Sequence, residues 1–114
     1  MIRMAGADCI VALVTVGSRD EGERLATALV AEQLAACVNI VGPIESIYRW
    51  DNQIQHGQEL LLVIKSRAAL FQALAARVRA LHSYQTPEVI AVPITAGAPA
   101  YLDWLLAATR SPAD

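Results

Sequence analysis

An α+β domain built on a four-stranded antiparallel sheet is the fold class this sequence predicts, and three observations predict it. Four β-prone stretches alternate with three helical ones in the order β-α-β-β-α-β-α. The first six of these elements reproduce the split βαβ plan, in which two helices cover one face of the sheet. Val, Ile and Leu occupy both alternating sets of strand positions, so both faces of that sheet read as apolar.

The elements follow in order. Cys9 to Val16 is a nearly unbroken β-prone run, as expected of a strand covered on both faces. Gly17-Ser18 ends it, and Ser18 with Glu21 forms a capping-box pattern that opens a helix running to about Leu34. Asp20 and Glu21 suit the positive end of that helix, and Leu25, Ala26, Leu29, Val30 and Leu34 form its apolar side. Ala36 to Trp50 is the second β segment, with Gly42-Pro43 predicting a bend, bulge or edge position. The polar stretch Asp51 to Gln58 reads as a hairpin turn, and Glu59 to Lys65 as the third strand. Ser66 is placed to cap a second helix through about Leu81, striped by Leu70, Leu74, Val78 and Leu81. A loop from His82 to Pro87 leads to a fourth strand, Glu88 to Ile94. Pro99 begins a third, C-terminal helix, and Arg110 to Asp114 is expected to fray. The whole is a ferredoxin-like βαββαβ antiparallel sheet with an extra C-terminal helix. One sheet face is left without helices, and self-association is the expected cover.

Length and composition narrow the function. A chain of 114 residues with 55% hydrophobic and 18% charged residues is a single domain, 1–114, with an ordered core at about 9–108. Net charge is −2, and the basic residues are scattered arginines plus Lys65, so no nucleic-acid partner is expected. No apolar run reaches the length of a membrane span, and residues 1–6 lack the apolar region of a signal peptide. A cytoplasmic protein with no membrane partner is the expectation. Cys9 and Cys37 show no CxxC or zinc-ribbon spacing and read first as small buried hydrophobes. No nucleophile triad, P-loop or GxGxxG is present, so the chain reads as non-enzymatic.

Four motifs carry a resemblance. Leu34-Ala35-Ala36-Cys37-Val38-Asn39-Ile40, Ser46-Ile47-Tyr48-Arg49-Trp50, Leu81-His82-Ser83-Tyr84-Gln85-Thr86-Pro87-Glu88 and Pro99-Ala100-Tyr101-Leu102-Asp103-Trp104-Leu105 together resemble the CutA family of divalent-cation tolerance proteins. The likeness runs from about Val11 to Leu106. It implies a homotrimer of PII-like architecture with strands reaching across to neighbouring subunits, and a link with copper binding and copper tolerance. Relatives commonly read His-Pro-Tyr-Glu where this chain has His82-Ser83-Tyr84-Gln85, so the loop is expected to be looser here. Ala98 stands where relatives place a helix-capping Asn.

Candidate sites follow from residue chemistry and this likeness. Cys37, His82 and Glu88 offer a thiolate, an imidazole and a carboxylate, a donor set suited to Cu(II) or another divalent cation held without tight binding. Each also has an ordinary reading, as a buried thiol, a helix-ending imidazole and a strand-end acid. Lys65, Tyr84, Trp50, Tyr48 and Asn39 are candidates for a ligand cleft between subunits. That cleft underlies the alternative reading, a PII-like small-molecule signalling or adaptor protein.

Overall fold

The structure, a computed structural model, describes residues 8–112. The readings made of residues 1–6 and of the last two positions lie outside the described residues. The elements are β1 (Cys9–Val16), α1 (Arg19–Ala31), β2 (Cys37–Trp50), β3 (Gln53–Arg67), a 3₁₀ turn (Ala68–Leu70), α2 (Phe71–Leu81), β4 (Ile90–Pro93) and α3 (Pro99–Ala107). The sheet order is β2-β3-β1-β4, with every neighbouring pair antiparallel. This is the ferredoxin-like arrangement the element order predicts.

Register assigns the side chains to faces, because directly paired residues point the same way. Ala12, Val14 and Val16 of β1 share a face with Ile64, Leu62 and Leu60 of β3. That face packs against Leu25 and Leu29 of α1 and Leu74 and Val78 of α2, all buried. Burial of each such Leu or Val contributes about 1.5–3 kcal/mol, so this layer supplies most of the stability of the single chain. The α1 helix stops at Ala31, short of the expected Leu34, because Gln33 turns to a φ of 59°. Leu34 therefore enters the core from the turn, while Val30 lies 42% exposed on the outside. Leu81 likewise leaves the core stripe of α2 and is exposed.

The opposite face carries Val11 and Leu13 of β1, Leu61 and Val63 of β3, Val41 of β2, and Ile90 and Val92 of β4. Val41, Ile90 and Val92 are each about half exposed. Only the end of this face is covered, by α3, through a small second cluster of Cys9, Ala36, Leu102 and Leu105. Arg67 secures that end. Its Nε donates to Thr109 Oγ1 at 2.9 Å and its guanidinium also donates to the Leu106 carbonyl, at the negative end of α3. The expected fraying from Arg110 is not seen there: its N–H donates to the Gln33 carbonyl at 2.9 Å.

Further expectations are corrected at the hairpin, at β4 and at Ser66. The stretch Asp51–Gln58 is not a loop. Asp51 and Asn52, with φ of 52° and 61°, make a two-residue turn, and Gln53 to Gln58 are already strand. Two consecutive positive φ values match the turn whose twist suits a hairpin. Polar Gln53, Gln55, His56 and Gln58 hid the strand, since this part of the hairpin runs past the end of β1 and has no helix against it. The projecting arm extends about 20 Å at 3.3 Å per residue, and the molecule measures 46 × 28 × 22 Å. A bulge between Val41 and Ile44 bends the arm. Gly42 has a φ of 144° there, and a Cβ would lie 3.2 Å from the Glu59 carbonyl oxygen.

Strand β4 is also shorter than expected, and Glu88 precedes it rather than beginning it. Ser66 caps no helix. It is a fully buried strand residue whose hydroxyl donates to the Leu34 carbonyl at 2.7 Å. An aspartate would serve a helix N-cap as well as serine does, but a buried carboxylate facing a carbonyl oxygen is uncompensated. Ser66→Asp is therefore expected to cost about 3 kcal/mol or more, measured by urea unfolding. An unchanged midpoint would restore the capping role.

Candidate functional site

A groove of about 810 Å³ opens between the hairpin arm and the loop that follows α2. The arm contributes Ile47, Tyr48, Trp50, Gln55 and Glu59, and the loop contributes Tyr84, Gln85 and Glu88, with Thr15 at the end of β1. Parity explains the arm's share apart from Ile47, which pairs with His56 on the opposite face. Beyond the bulge, Ile44 faces Glu59, Ser46 faces Gly57 and Tyr48 faces Gln55, all on the side that continues the uncovered sheet face. The groove is aromatic and acidic. Glu59 and Glu88 are its charged residues, and among the described residues no Lys, Arg or His lines it.

Tyr84 joins the two walls. Its hydroxyl donates to Glu59 Oε2 at 2.8 Å. Burial, reinforced by that hydrogen bond and the Glu59 charge, pushes the phenol up to about 12, so it stays protonated and remains a donor. Gly17 leaves room for the ring: a Cβ there would lie 3.2 Å from the Tyr84 hydroxyl.

Behind Tyr84 lies a buried polar knot. The His82 side chain is fully enclosed; its Nε2 lies 2.7 Å from the Thr15 carbonyl and its Nδ1 accepts the Tyr84 backbone N–H at 3.0 Å. In the neutral ring these two partners place the proton on Nε2. Glu21 Oε2 sits 3.5 Å from Nδ1. The Glu21 carboxylate also accepts the Ser83 N–H at 2.7 Å and the Ser83 hydroxyl at 3.0 Å. Only half of the expected capping box forms, because the Ser18 hydroxyl accepts the Glu21 N–H while the Glu21 side chain turns to the loop. Ser83 consequently tightens the loop that was expected to loosen. A proline at that position could not donate the N–H that Glu21 receives.

The residues singled out by sequence fall into three places. Tyr48, Trp50, Tyr84 and Glu88 line the groove. Cys37, Asn39 and Lys65 lie together at the other end of the uncovered face, where the Asn39 side-chain oxygen accepts from Lys65 and lies 3.9 Å from the Cys37 sulfur. Tyr101 of α3 joins this second group; burial, and then its contact with Cys37, raises its phenol. His82 stands alone in the buried knot. Cys37 is aligned with Lys65 and Val11, whereas His82 is tied to Thr15. Four strand residues, about 13 Å, separate those levels. Within one chain, then, Cys37, His82 and Glu88 do not converge, and the described residues hold no cluster of three His, Cys, Asp or Glu side chains able to grip a metal.

Glu21, Glu59 and Ser83 are not among the site residues that the sequence singles out. Glu21 was hidden by its place in a capping pattern. Glu59 becomes legible only once the hairpin register is known, since it shares its face with Tyr84's partner groove rather than with a turn.

Burial raises the Glu21 carboxyl, but the two Ser83 donors, then His82 and the Gly17 amide, outweigh it and hold the group below its ordinary 4.5. A depressed carboxyl stabilises the fold fully above its unfolded value, and that contribution is lost as pH falls through the lower folded value. Glu21→Gln is expected to cost about 1–3 kcal/mol at pH 7. It should also flatten the loss of stability below pH 4.5, as read from urea midpoints between pH 7 and 3. Parallel acid limbs in the two proteins would contradict this.

Comparison with known proteins now bears on the whole. A family profile described as CutA1 divalent ion tolerance protein matches residues 10–108. The chloroplastic protein CutA of Arabidopsis thaliana is 51% identical over 102 residues, which is 90% of this chain and 56% of that protein. The chain thus spans little more than half the length of that plant relative. The divalent-cation tolerance protein CutA of Thermus thermophilus is 50% identical over 95 residues, covering 83% of this chain and 92% of its own. The crystal structure of CutA1 from Oryza sativa superposes with a TM-score of 0.90 at 48% identity, over 92% of this chain and 96% of that one. Fold, family profile and relatives agree, and this chain belongs to the CutA1 divalent ion tolerance family.

Proposed function

We propose that this chain binds a divalent cation, with Cu(II) well suited, and does so as a homotrimer that catalyses no reaction of its own. The observation that carries the reading is the one-sided charge of the groove. Two carboxylates and several neutral oxygen donors line it, with no basic side chain among the described residues to favour an anion. Names of relatives support the same reading, since several are called divalent-cation tolerance proteins.

Among the described residues, one chain brings together no three His, Cys, Asp or Glu side chains that could close a coordination shell. The shell is completed by another copy, which the uncovered apolar face invites. Glu88 is available at the groove, and Cys37 is partly exposed at the far margin of the same face. A thiolate and carboxylates from neighbouring copies would make a mixed set of the kind Cu(II) accepts. His82 could join only by giving up Thr15 or the Tyr84 amide, so its first role is to hold the loop.

The alternative, a PII-like small-molecule signalling or adaptor protein, also has one observation in its favour. The groove's volume lies within the range of small-molecule sites. Lys65 and Asn39 do not line that groove, so a cleft uniting them with Tyr84, Trp50 and Tyr48 would need a second copy of the chain.

Calorimetric titration with Cu(II) tests the leading reading. Saturable binding is expected, weakened at least about tenfold by Cys37→Ala and by Glu88→Gln, with each ligand contributing on the order of 1–3 kcal/mol. His82→Ala should act chiefly on stability. Binding that is unchanged in both the Cys37 and Glu88 variants would remove those residues from the role.

A further inference from the structure

Acid and base sit at opposite ends of the uncovered sheet face. Glu59 and Glu88 are at the arm end, in the groove. Lys65, the single lysine of the chain, is at the other end. It pairs across the strands with Val11 on one side and Cys37 on the other, which puts it on the same uncovered face. Among the described residues it is the one cation this face has to offer. Arg67 is taken up by Thr109 and the Leu106 carbonyl. Arg49 and His56 fall on the opposite side of the arm, by their pairing with Ile54 and Ile47. The remaining arginines lie on α1 and α2 or beside the turn after α1. Glu59 and Lys65 are six positions apart on β3, about 20 Å at 3.3 Å per residue. That is far beyond the reach of a lysine side chain, so these ends cannot meet within one chain. A cover of sister chains buries both ends, and burying a charge without its counter-ion is strongly unfavourable. A ring of identical chains removes the conflict, because a head-to-tail interface joins one patch of each copy to a different patch of the next.

We infer that Lys65 of each chain enters the groove of its neighbour and pairs there with Glu88 and Glu59. The inference rests on the homotrimer proposed above and deepens it by naming the contact that sets how one copy meets the next. Both sides are prepared for it. Tyr84 donates to Glu59 Oε2 at 2.8 Å and so holds that carboxylate at the groove wall before the neighbour arrives. Asn39 accepts from Lys65 and steadies the ammonium at the other end of the face. The rings of Tyr48 and Trp50 flank the groove, where they favour a cation and its methylene stem. Cys37 is aligned with Lys65 and is carried along with it. The thiol of one chain thereby comes toward Glu88 of the next, a meeting that one chain alone does not achieve. Two carboxylates against one ammonium leave the groove net negative, so a divalent cation is still attracted.

A lone lysine makes the contact directly readable on the full chain. A water-soluble carbodiimide joins an amine to a carboxylate only where the two touch, and peptide mapping separates links made by Lys65 from those of the N-terminal amine. Assemblies mixed from 14N and 15N chains are coupled with chelator present, at a concentration where sedimentation has given the number of chains. Lys65 is expected to be linked to Glu88 or Glu59, in peptide pairs that carry both isotopes. Lys65→Arg keeps the charge and should keep the assembly while the link disappears. Lys65→Glu should weaken the assembly at least about tenfold on dilution, and Glu88→Lys added to the same chain should restore it. A trimer that gives no Lys65 link, gives links only within one isotope, or links Lys65 to carboxylates outside the groove overturns the pairing and leaves the trimer reading standing. A Lys65→Glu assembly as tight as the unaltered one overturns the pairing as well. A monomer at the coupling concentration overturns both. Coupling on the unaltered chain decides the matter even where a charge-reversed variant fails to fold.

Discussion

A sheet with two apolar faces and helices for only one of them is the constraint on which the rest of this structure depends. Register puts Ala12, Val14, Leu62 and Ile64 against α1 and α2, and the same register puts Val11, Leu13, Leu61 and Val63 on the other side. Among the described residues only α3 returns to that second side, and it reaches no farther than the end marked by Cys9 and Arg67. Apolar area left in water forgoes about 25 cal/mol for each Å², which is why we propose that sister chains complete the domain. The long arm fits the same logic. Ile47, Trp50 and Ile54 are more than half exposed along a ribbon tied to its own chain through the Tyr84–Glu59 hydrogen bond, and an isolated two-stranded ribbon has little stability of its own.

Beside this constraint stands a second one, local and polar. The loop after α2 has no regular structure, yet it is tied at successive residues: His82 to Thr15, Ser83 to Glu21, Tyr84 to Glu59. Each bond carries the order of the core one step closer to the groove. His82 and Glu21 are therefore best understood as supports for Tyr84, which alone of the three reaches the groove. Within this chain the imidazole of His82 and the carboxylate of Glu21 anchor the loop that carries Tyr84. The acidic, aromatic groove they shape is consistent with the positive groups proposed above.

Much of the fold was legible in the sequence because its signals were periodic. The strand around Leu13, the stripe of Leu74 and Val78, and the helix opened by Ser18 and by Pro99 follow from spacing and local stereochemistry alone. The returning half of the hairpin arm, Gln53 to Gln58, was not, because an unpacked polar strand has no apolar alternation to display; Asp51-Asn52 marked the turn but looked like the start of a longer loop. Ser66 misled for a related reason, since a serine between a strand and a helix can cap the one or be buried in the other, and only the position of the Leu34 carbonyl decides. At the site, the aromatic residues and Glu88 were recognisable by type, but grouping them apart from Cys37, Asn39 and Lys65 required the register. Glu59 and Glu21 needed the tertiary fold outright, since nothing in their neighbours distinguishes them from surface acids.

The claim that a second layer of the domain comes from copies of the chain is open to one direct measurement. Sedimentation velocity at micromolar concentration, repeated on Leu13→Glu, reads the assembly itself. The account predicts a single species of three chains for the unaltered protein, with no folded monomer on dilution, and dissociation when a charge is placed at the centre of the uncovered face. A compact, folded monomer in the unaltered protein, with hydrodynamics indifferent to the substitution, would contradict it.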